Sequence, residues 1–294
     1  MTVAPRALIV TRPTEYDELL GRHGSRQQVS FFLEQRDRSL DELDRRHAAQ
    51  LTAVQAVSAA IPVDWRRATL TRDDLSRFLF GPEDVVLAVG QDGLVANVAK
   101  YLDGQPVIGV NPDPTRHPGV LVRHPPTKIG RLLPRLASGR VPTTPLAMVE
   151  VVTDRGDTLR ALNEVYIGHP QHQSARYQIG VAGEWEHQSS SGVLVGTGTG
   201  STGWCASVHR ERSPAWPLPT MASNDLAWFV REAWPSPFTG TSLTEGLLSG
   251  RHLTIRCESD ELVAFGDGIE ADALTLAWGQ AATVRLADVA LHLW

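Results

Sequence analysis

The rhythm of hydrophobic positions changes near the middle of the chain. In the first half, short apolar runs alternate with stretches of helical spacing. Ala7-Leu-Ile-Val-Thr11 is such a run, ending at Arg12-Pro13, and it predicts a buried strand. Ser39-Leu-Asp-Glu42 carries a capping-box pattern; Leu40, Leu43, His47, Leu51, Val54 and Ile61 follow at mostly three- and four-residue steps until Pro62. This predicts a helix, with His47 on its stripe read as a packing residue, not a ligand. Asp84-Val-Val-Leu-Ala-Val89 predicts a buried strand running into Gly90-Gln-Asp-Gly93, then a short helix over Val95–Leu102 and a strand at Pro106-Val-Ile-Gly-Val110. Strand, helix and strand in close succession imply a parallel, Rossmann-like α/β sheet. Ligands gather at the carboxyl ends of such strands. Gly90-Gln-Asp-Gly93 and Asn111-Pro-Asp-Pro114 both hold that position.

The second half reads as strands separated by turn chemistry. Leu146–Val152, Thr158–Gly168, Tyr177–Trp185 and Val193–Thr197 are strand-like, parted by Asp154-Arg-Gly-Asp157 and Ala182-Gly-Glu184. More strands are predicted at Leu253–Arg256, Leu262–Phe265, Leu274–Ala277 and Thr283–Leu286. The stretch Ser213–Pro237 is rich in proline and tryptophan, with a candidate helix around Asp225–Trp234. The expected division is an α/β lobe over 1–125 and a β-rich lobe over 126–282. The segment from about 283 to 294 is a candidate to pack back on the first lobe through Leu291-His-Leu-Trp294.

Composition narrows the function classes. The 294 residues are 42% hydrophobic and 21% charged, the balance of a globular chain with room for two lobes. A net charge of −5 argues against a nucleic-acid partner. No apolar run reaches the length of a membrane span, and the amino-terminal one is too short for a signal-peptide core. Cys205 and Cys257 are too few for a disulfide framework or a zinc site built from cysteines. These features predict a soluble, cytoplasmic enzyme or ligand binder with no membrane partner. Arginine supplies nearly all the positive charge, since Lys100 and Lys128 are the only lysines.

Two segments carry candidate chemistry. Gly90-Gln-Asp-Gly93 could bring backbone close to a phosphate, or be a plain turn; it is no Walker loop, because no Gly-Lys-Ser/Thr follows. Gly196-Thr-Gly-Thr-Gly-Ser-Thr-Gly203, directly after a strand, offers backbone N–H groups and hydroxyls to an anion or a ribose. Asn163-Glu164 interrupts the apolar run Ala161–Ile167, so one of the two is expected to face a core or cleft. A buried glutamate needs a partner, and a ribose diol could be one. Between Thr115 and Val149 there is no acidic residue, yet Arg116, Arg123, Lys128, Arg131, Arg135 and Arg140 all occur. That stretch is either a source of phosphate contacts or a solvated helix around Lys128–Ala137.

In order and spacing these segments resemble the NAD kinases. Gly-x-Asp-Gly after a strand, Asn163-Glu164, Ser190-Ser-Gly192 with Gly196-Thr-Gly-Thr-Gly-Ser-Thr-Gly-Trp204, and Phe265-Gly-Asp-Gly268 are similar to that family's GGDGT, NE, SDG…TPTGSTAY and late DG. Pro106-Val-Ile-Gly-Val-Asn-Pro-Asp-Pro-Thr-Arg116 and the Ser-Ser-Gly sequence resemble the mitochondrial-type branch most closely. The resemblance implies a two-domain fold and phosphorylation of the adenosine ribose 2′-hydroxyl of NAD(H) to NADP(H). It implies Asp92 as general base, and Asn163 and Glu164 as contacts to the adenosine portion. Ser191, Thr199, Thr202, Gly203 and Ser207 would line the dinucleotide pocket, with Trp204 beside adenine. Gly90, Gln91, Gly93, Asn111 and Arg116 would face the phosphate donor, ATP or polyphosphate, with Mg²⁺ accompanying it. No residue is assigned as a metal ligand, and a homo-oligomer, a dimer foremost, is expected. Gln91 and Leu94 depart from GGDGT. They leave open a changed donor, slow turnover, or an NAD(H)-binding sensor without kinase activity; a related lipid kinase is a further alternative.

Overall fold

The computed structural model describes residues 5–116, 118–137 and 142–294. They form two compact units: residues up to Val98, Gln105–Thr144 and His292–Trp294 make the first, and Ala99–Gly104 with Pro145–Leu291 the second.

In chain order the first unit holds β1 (Arg6–Thr11), α1 (Glu15–His23), α2 (Arg26–Glu34), α3 (Leu40–Ala60), β2 (Arg66–Thr71), β3 (Asp84–Val89), α4 (Asp92–Ala99), β4 (Pro106–Val110) and α5 (Ile129–Ala137), and β5 (Thr144–Leu146) begins at its last residue. The sheet order is β2-β1-β3-β4-β18-β5, where β18 is Leu291–Leu293 near the chain end. Its strands are parallel from β2 to β18. All six residues of β3 are buried, as a strand covered on both faces requires. On one face Ala53, Val57 and Ile61 of the α3 region and Ile129 and Leu133 of α5 pack over Ile9, Leu87, Ile108 and Val110. Arg6 grips Asp84 with two hydrogen bonds, at 2.7 and 2.6 Å, and so fixes β1 against β3.

The expected boundary at residue 125 lies instead at Thr144, because the buried stripe of α5 belongs to this core. Only the last three residues return to the first unit, whereas β17 (Ala281–Leu286) stays in the second. The short helix predicted over Val95–Leu102 begins earlier, at Asp92, and ends at Ala99.

The second unit is a sandwich of two sheets. One has the order β10-β9-β14-β17-β6-β7 and the other β13-β12-β11-β8-β15-β16. Here β6 is Val149–Thr153, β7 Thr158–Ala161, β8 Glu164–Gly168, β9 Ala175–Val181, β10 Glu184–Ser190 and β11 Gly192–Gly196. Helix α6 (Trp204–Arg212) follows, then β12 (Leu226–Arg231), β13 (Glu245–Leu248), β14 (Leu253–Cys257), β15 (Glu261–Gly266) and β16 (Ile269–Ala277). Val149, Val151, Ile179 and Ile255 from one sheet meet Val165, Ile167, Val193 and Val195 from the other in one core.

Two expectations change here. The candidate helix at Asp225–Trp234 is strand β12, whose Leu226–Val230 are all buried between β11 and β13. The single strand expected over Thr158–Gly168 breaks at Leu162-Asn163, where the chain passes from one sheet to the other. A fold of α/β plus β-rich units, as the sequence implies, is what forms. No described helix is long and apolar enough to cross a membrane.

Candidate active site

In the α/β unit the Gly90–Gly93 turn stands where the parallel sheet ends, at the carboxyl end of β3 and the start of α4. Gly90 donates its N–H to the Val110 carbonyl at 3.0 Å, and Leu94 donates to the Gln91 carbonyl at 2.9 Å, tightening the turn. Gln91 is not among the residues with positive φ, so the turn needs no glycine there. Leu94 is 1% exposed and packs in the core, which explains why an apolar residue is accepted at that position.

The Asp92 carboxylate accepts four hydrogen bonds from backbone. Oδ1 takes the N–H groups of Val120, Leu121 and Val122 at 3.1, 2.8 and 2.9 Å; Oδ2 takes only that of Val120, at 2.9 Å. The carboxylate is therefore held in one orientation, with accepting capacity left on Oδ2.

Gly90, Gln91, Asn111 and Arg116 line one cavity of about 220 Å³. Gly93 is exposed on the first turn of α4 and is not among its lining residues. Asn111 is buried and accepts the Asp113 N–H at 3.0 Å, while Arg116 pairs with Glu42 of α3. Of the basic stretch, only Arg116 reaches this cavity; Arg123, Lys128, Arg131 and Arg135 are exposed, and Arg140 lies outside the described residues. His47 packs as expected, its ring tilted on Tyr16 at 4.9 Å and bonded to the Thr14 hydroxyl.

In the β-rich unit the turn between β7 and β8 brings Asn163 and Glu164 together with Asp267. Asp267 accepts the N–H groups of Leu162, Asn163 and Glu164 at 2.7, 2.8 and 3.3 Å, and returns its own N–H to the Glu164 carbonyl. Burial pushes the Asp267 carboxyl up to about 6, against the pull of those three donors and of Lys100. Lys100 is buried and donates to the Gly266 carbonyl at 3.1 Å and to Asp272 at 2.8 Å; Tyr101 donates to the other Asp272 oxygen at 2.5 Å. Burial, and secondarily the Asp267 charge, lift Glu164 to about 7.

The Thr-Gly loop closes on the same turn. Thr197 donates its hydroxyl to the Leu162 carbonyl at 2.6 Å and its N–H to the Asn163 carbonyl at 2.8 Å. A side chain at Gly200 would put Cβ 2.3 Å from the Asn163 carbonyl oxygen, and one at Gly198 only 1.7 Å from that of Thr220. The glycines at these two places thus serve close packing of the loop, not contact with an anion. Thr199 is 6% exposed and its hydroxyl is buried without a hydrogen-bond partner. An orphaned hydroxyl costs free energy unless a ligand satisfies it.

Ser191, Trp204 and Ser207 form a second cluster. Trp204 stacks on Tyr166 at 5.5 Å with 19° between the rings, Tyr166 donates to the Ser191 carbonyl, and the Arg231 guanidinium lies 5.3 Å from the Trp204 ring centre. Trp204 and Ser207 line a groove of about 280 Å³ together with Arg212 and Arg231. Thr202 and Gly203 are exposed at the entry to α6. Cys205 is buried beneath, its thiol pushed up to about 12 by burial, and is inert as a nucleophile.

The motif Phe265-Gly-Asp-Gly268 is visible in the sequence, but the anchoring of the β7–β8 turn by Asp267 and the burial of Lys100 near it are not. The signal available was a lone lysine in an apolar helix-to-strand connection.

The α/β unit thus presents an acidic turn at the carboxyl end of a parallel strand, and the β-sandwich a buried polar turn built on Asn163, Glu164 and Asp267. A rice (Oryza sativa subsp. japonica) protein named "Probable NADH kinase" is 25% identical over 255 residues, 78% of this chain and 75% of that one. The rat (Rattus norvegicus) protein "NAD kinase 2, mitochondrial" is 30% identical over 179 residues, 45% of this chain and 42% of its own. The crystal structure of yeast NADH kinase with NADH superposes with a TM-score of 0.63 at 12% identity, covering 99% of this chain and 83% of that one. No family model matches. In sequence this chain is thus similar to proteins named NAD and NADH kinases, and in fold to yeast NADH kinase.

Proposed function

We propose that this protein is an NAD(H) kinase, transferring a phosphoryl group to the adenosine ribose 2′-hydroxyl to give NADP(H). The observation that carries the reading is the polar β7–β8 turn, which fixes Asn163 and Glu164 on Asp267 and is hydrogen-bonded to the Thr-Gly loop, where the Thr199 hydroxyl has no partner. A carboxylate held in such a turn suits a ribose diol. Ser191, Thr202, Gly203, Trp204 and Ser207 extend the dinucleotide site. Asp92 is the general base: its free capacity on Oδ2 takes the 2′-hydroxyl proton as that oxygen attacks the terminal phosphorus. The P–O bond to the leaving phosphate breaks, and the proton passes from Asp92 to solvent.

Among the described residues no cluster of three His, Cys, Asp or Glu could hold a metal. Mg²⁺ suits this site as an ion carried by the donor phosphates, where it would neutralise charge on the transferring group. Gln91 needs no positive φ and Leu94 is accommodated in the core, so the turn forms despite both departures, and turnover separates a kinase from a sensor. The names of the relatives argue against a lipid acceptor. A cytoplasmic homodimer is the expected form, and light scattering on the purified protein checks the dimer.

The test is NADP(H) formation with NAD and NADH crossed against ATP and polyphosphate. Product with at least one donor is expected, and none with any combination would refute the assignment. A pH effect follows from Glu164. Its carboxylate accepts ribose hydroxyls, and its pKa of about 7 means that this form grows in as pH rises. NAD affinity should therefore increase by roughly 5- to 10-fold between about pH 6 and 8 in titration calorimetry, and Glu164→Gln should flatten the profile. The raised pKa also means that folding stability is lost as pH rises through about 7, so Glu164→Gln should melt higher than wild type at pH 8. An unchanged affinity profile in Glu164→Gln would remove Glu164 from the site.

A further inference from the structure

A lysine out of water needs a reason, and no motif gives one for Lys100. Its side chain is 2% exposed, a costly place for an ammonium unless charge and hydrogen bonds compensate it. Residues Ala99–Gly104 belong to the β-rich unit, and so do all the groups around Lys100 described next. Lys100 donates to the Asp272 carboxylate of β16 at 2.8 Å and to the carbonyl of Gly266, the residue before Asp267, at 3.1 Å. Tyr101 donates to the other Asp272 oxygen at 2.5 Å; burial, and then that bond, push its phenol up, so it stays a donor. Asp267 and Gly268 make the β15–β16 turn in left-handed backbone, with φ of 53° and 68°. That turn carries the Asp267 carboxylate back to residues 162–164.

Both oxygens of Asp267 are engaged there. Oδ2 accepts from the Leu162 N–H, and Oδ1 from those of Asn163 and Glu164. Protonation would set an O–H against an N–H and release part of the turn. Burial favours that protonation, pushing the carboxyl up to about 6, and Glu164 of β8 brings a second negative charge beside it. The Lys100 charge works in the opposite direction. The remaining charged or titratable neighbours are engaged elsewhere. Arg160 of β7 pairs with Glu150 at 3.2 Å and Asp103 at 3.6 Å, and the Cys205 thiol of α6 is uncharged.

We propose that Lys100 is a positioning residue for dinucleotide binding: its ammonium keeps the Asp267 carboxylate charged, so that Asp267 anchors residues 162–164 and presents Glu164 to the ribose. The identity of the ligand rests on the NAD(H) kinase reading. Lys100 touches no substrate in this role and acts through Asp267.

The experiment is calorimetric titration of the full chain with NAD between about pH 5.5 and 8.5. Tight binding needs both carboxylates charged, and removing a cation beside a coupled pair raises the pH at which the second one ionises. In Lys100→Met the rise in NAD affinity should move up by about one pH unit, leaving affinity at pH 7 roughly 5-fold lower. Lys100→Arg keeps the charge and should keep the wild-type profile. Asp272→Asn removes an anion while leaving Lys100 an acceptor, so its profile should move to lower pH. Thermal melts verify that the variants fold.

Profiles that rise at one pH in all four proteins overturn the proposal. So does a loss in Lys100→Met that is equal at every pH and not rescued by Lys100→Arg. Where Lys100→Met does not fold, the direction of the shift in Asp272→Asn decides alone. If NAD binds with these shifts but no donor yields NADP, the kinase reading falls while the role of Lys100 stands. If NADP forms and the profiles coincide, the reverse holds.

Discussion

Replacing Asp92 by asparagine should lower the turnover of NAD to NADP by at least about 100-fold, the usual worth of a positioned general base. Fold and substrate binding should survive. The reason lies in how the carboxylate is held. Oδ1 accepts from Val120, Leu121 and Val122, and an asparagine carbonyl in the same place keeps those three bonds, losing only the second contact of the Val120 N–H to Oδ2. What the amide loses is the basic oxygen, Oδ2, and with it the acceptor for the 2′-hydroxyl proton. Steady-state kinetics paired with NAD titration separates these effects. Unchanged NAD affinity with collapsed kcat fits a base; wild-type kcat would show that Asp92 only fastens the turn at residues 120–122. Alanine at 92 is the less informative change, since it frees three backbone donors as well.

Asp267→Ala should be the most damaging substitution in the β-rich unit. It removes the acceptor of three backbone N–H groups at the β7–β8 turn, and it deprives buried Lys100 of one of the two carboxylates near it. Leaving buried donors unsatisfied costs roughly 1–3 kcal/mol for each group. A total loss of about 3–5 kcal/mol is expected in urea unfolding, with NAD affinity reduced by about 100-fold or more because Asn163 and Glu164 lose their frame. Asp267→Asn supplies the contrast. Its remaining carbonyl can take the Asn163 and Glu164 N–H groups that Oδ1 takes now, so stability should fall by only about 1–2 kcal/mol. Equal loss in both variants would mean that charge, not the hydrogen-bond frame, sets the turn.

Much of this design was legible in the sequence, and the illegible parts have definite causes. The run Asp84–Val89, short, β-branched and followed by a glycine turn, reads as a strand covered on both faces, and β3 is fully buried. Asn163-Glu164 was visible as polar residues in an apolar run. The run itself was misread, because alternation marks which face a residue takes, not the point where a chain leaves one sheet for another. Strand β12 was hidden by the proline- and tryptophan-rich residues around it, whereas burial between β11 and β13 decides its conformation. Asp267 lies about a hundred residues from the turn it holds, and Lys100 still further from Gly266 and Asp272. Local patterns cannot report such pairings; only the closed sheets bring them together.

One measurement addresses the central assignment directly: incubation of the purified protein with NAD and Mg-ATP, with the product resolved and its phosphate located by NMR. NADP phosphorylated at the adenosine 2′-position, formed by wild type and reduced at least about 100-fold in Asp92→Asn, is the predicted result. Absence of any phosphorylated dinucleotide from a wild-type protein whose melting temperature NAD still raises would contradict it.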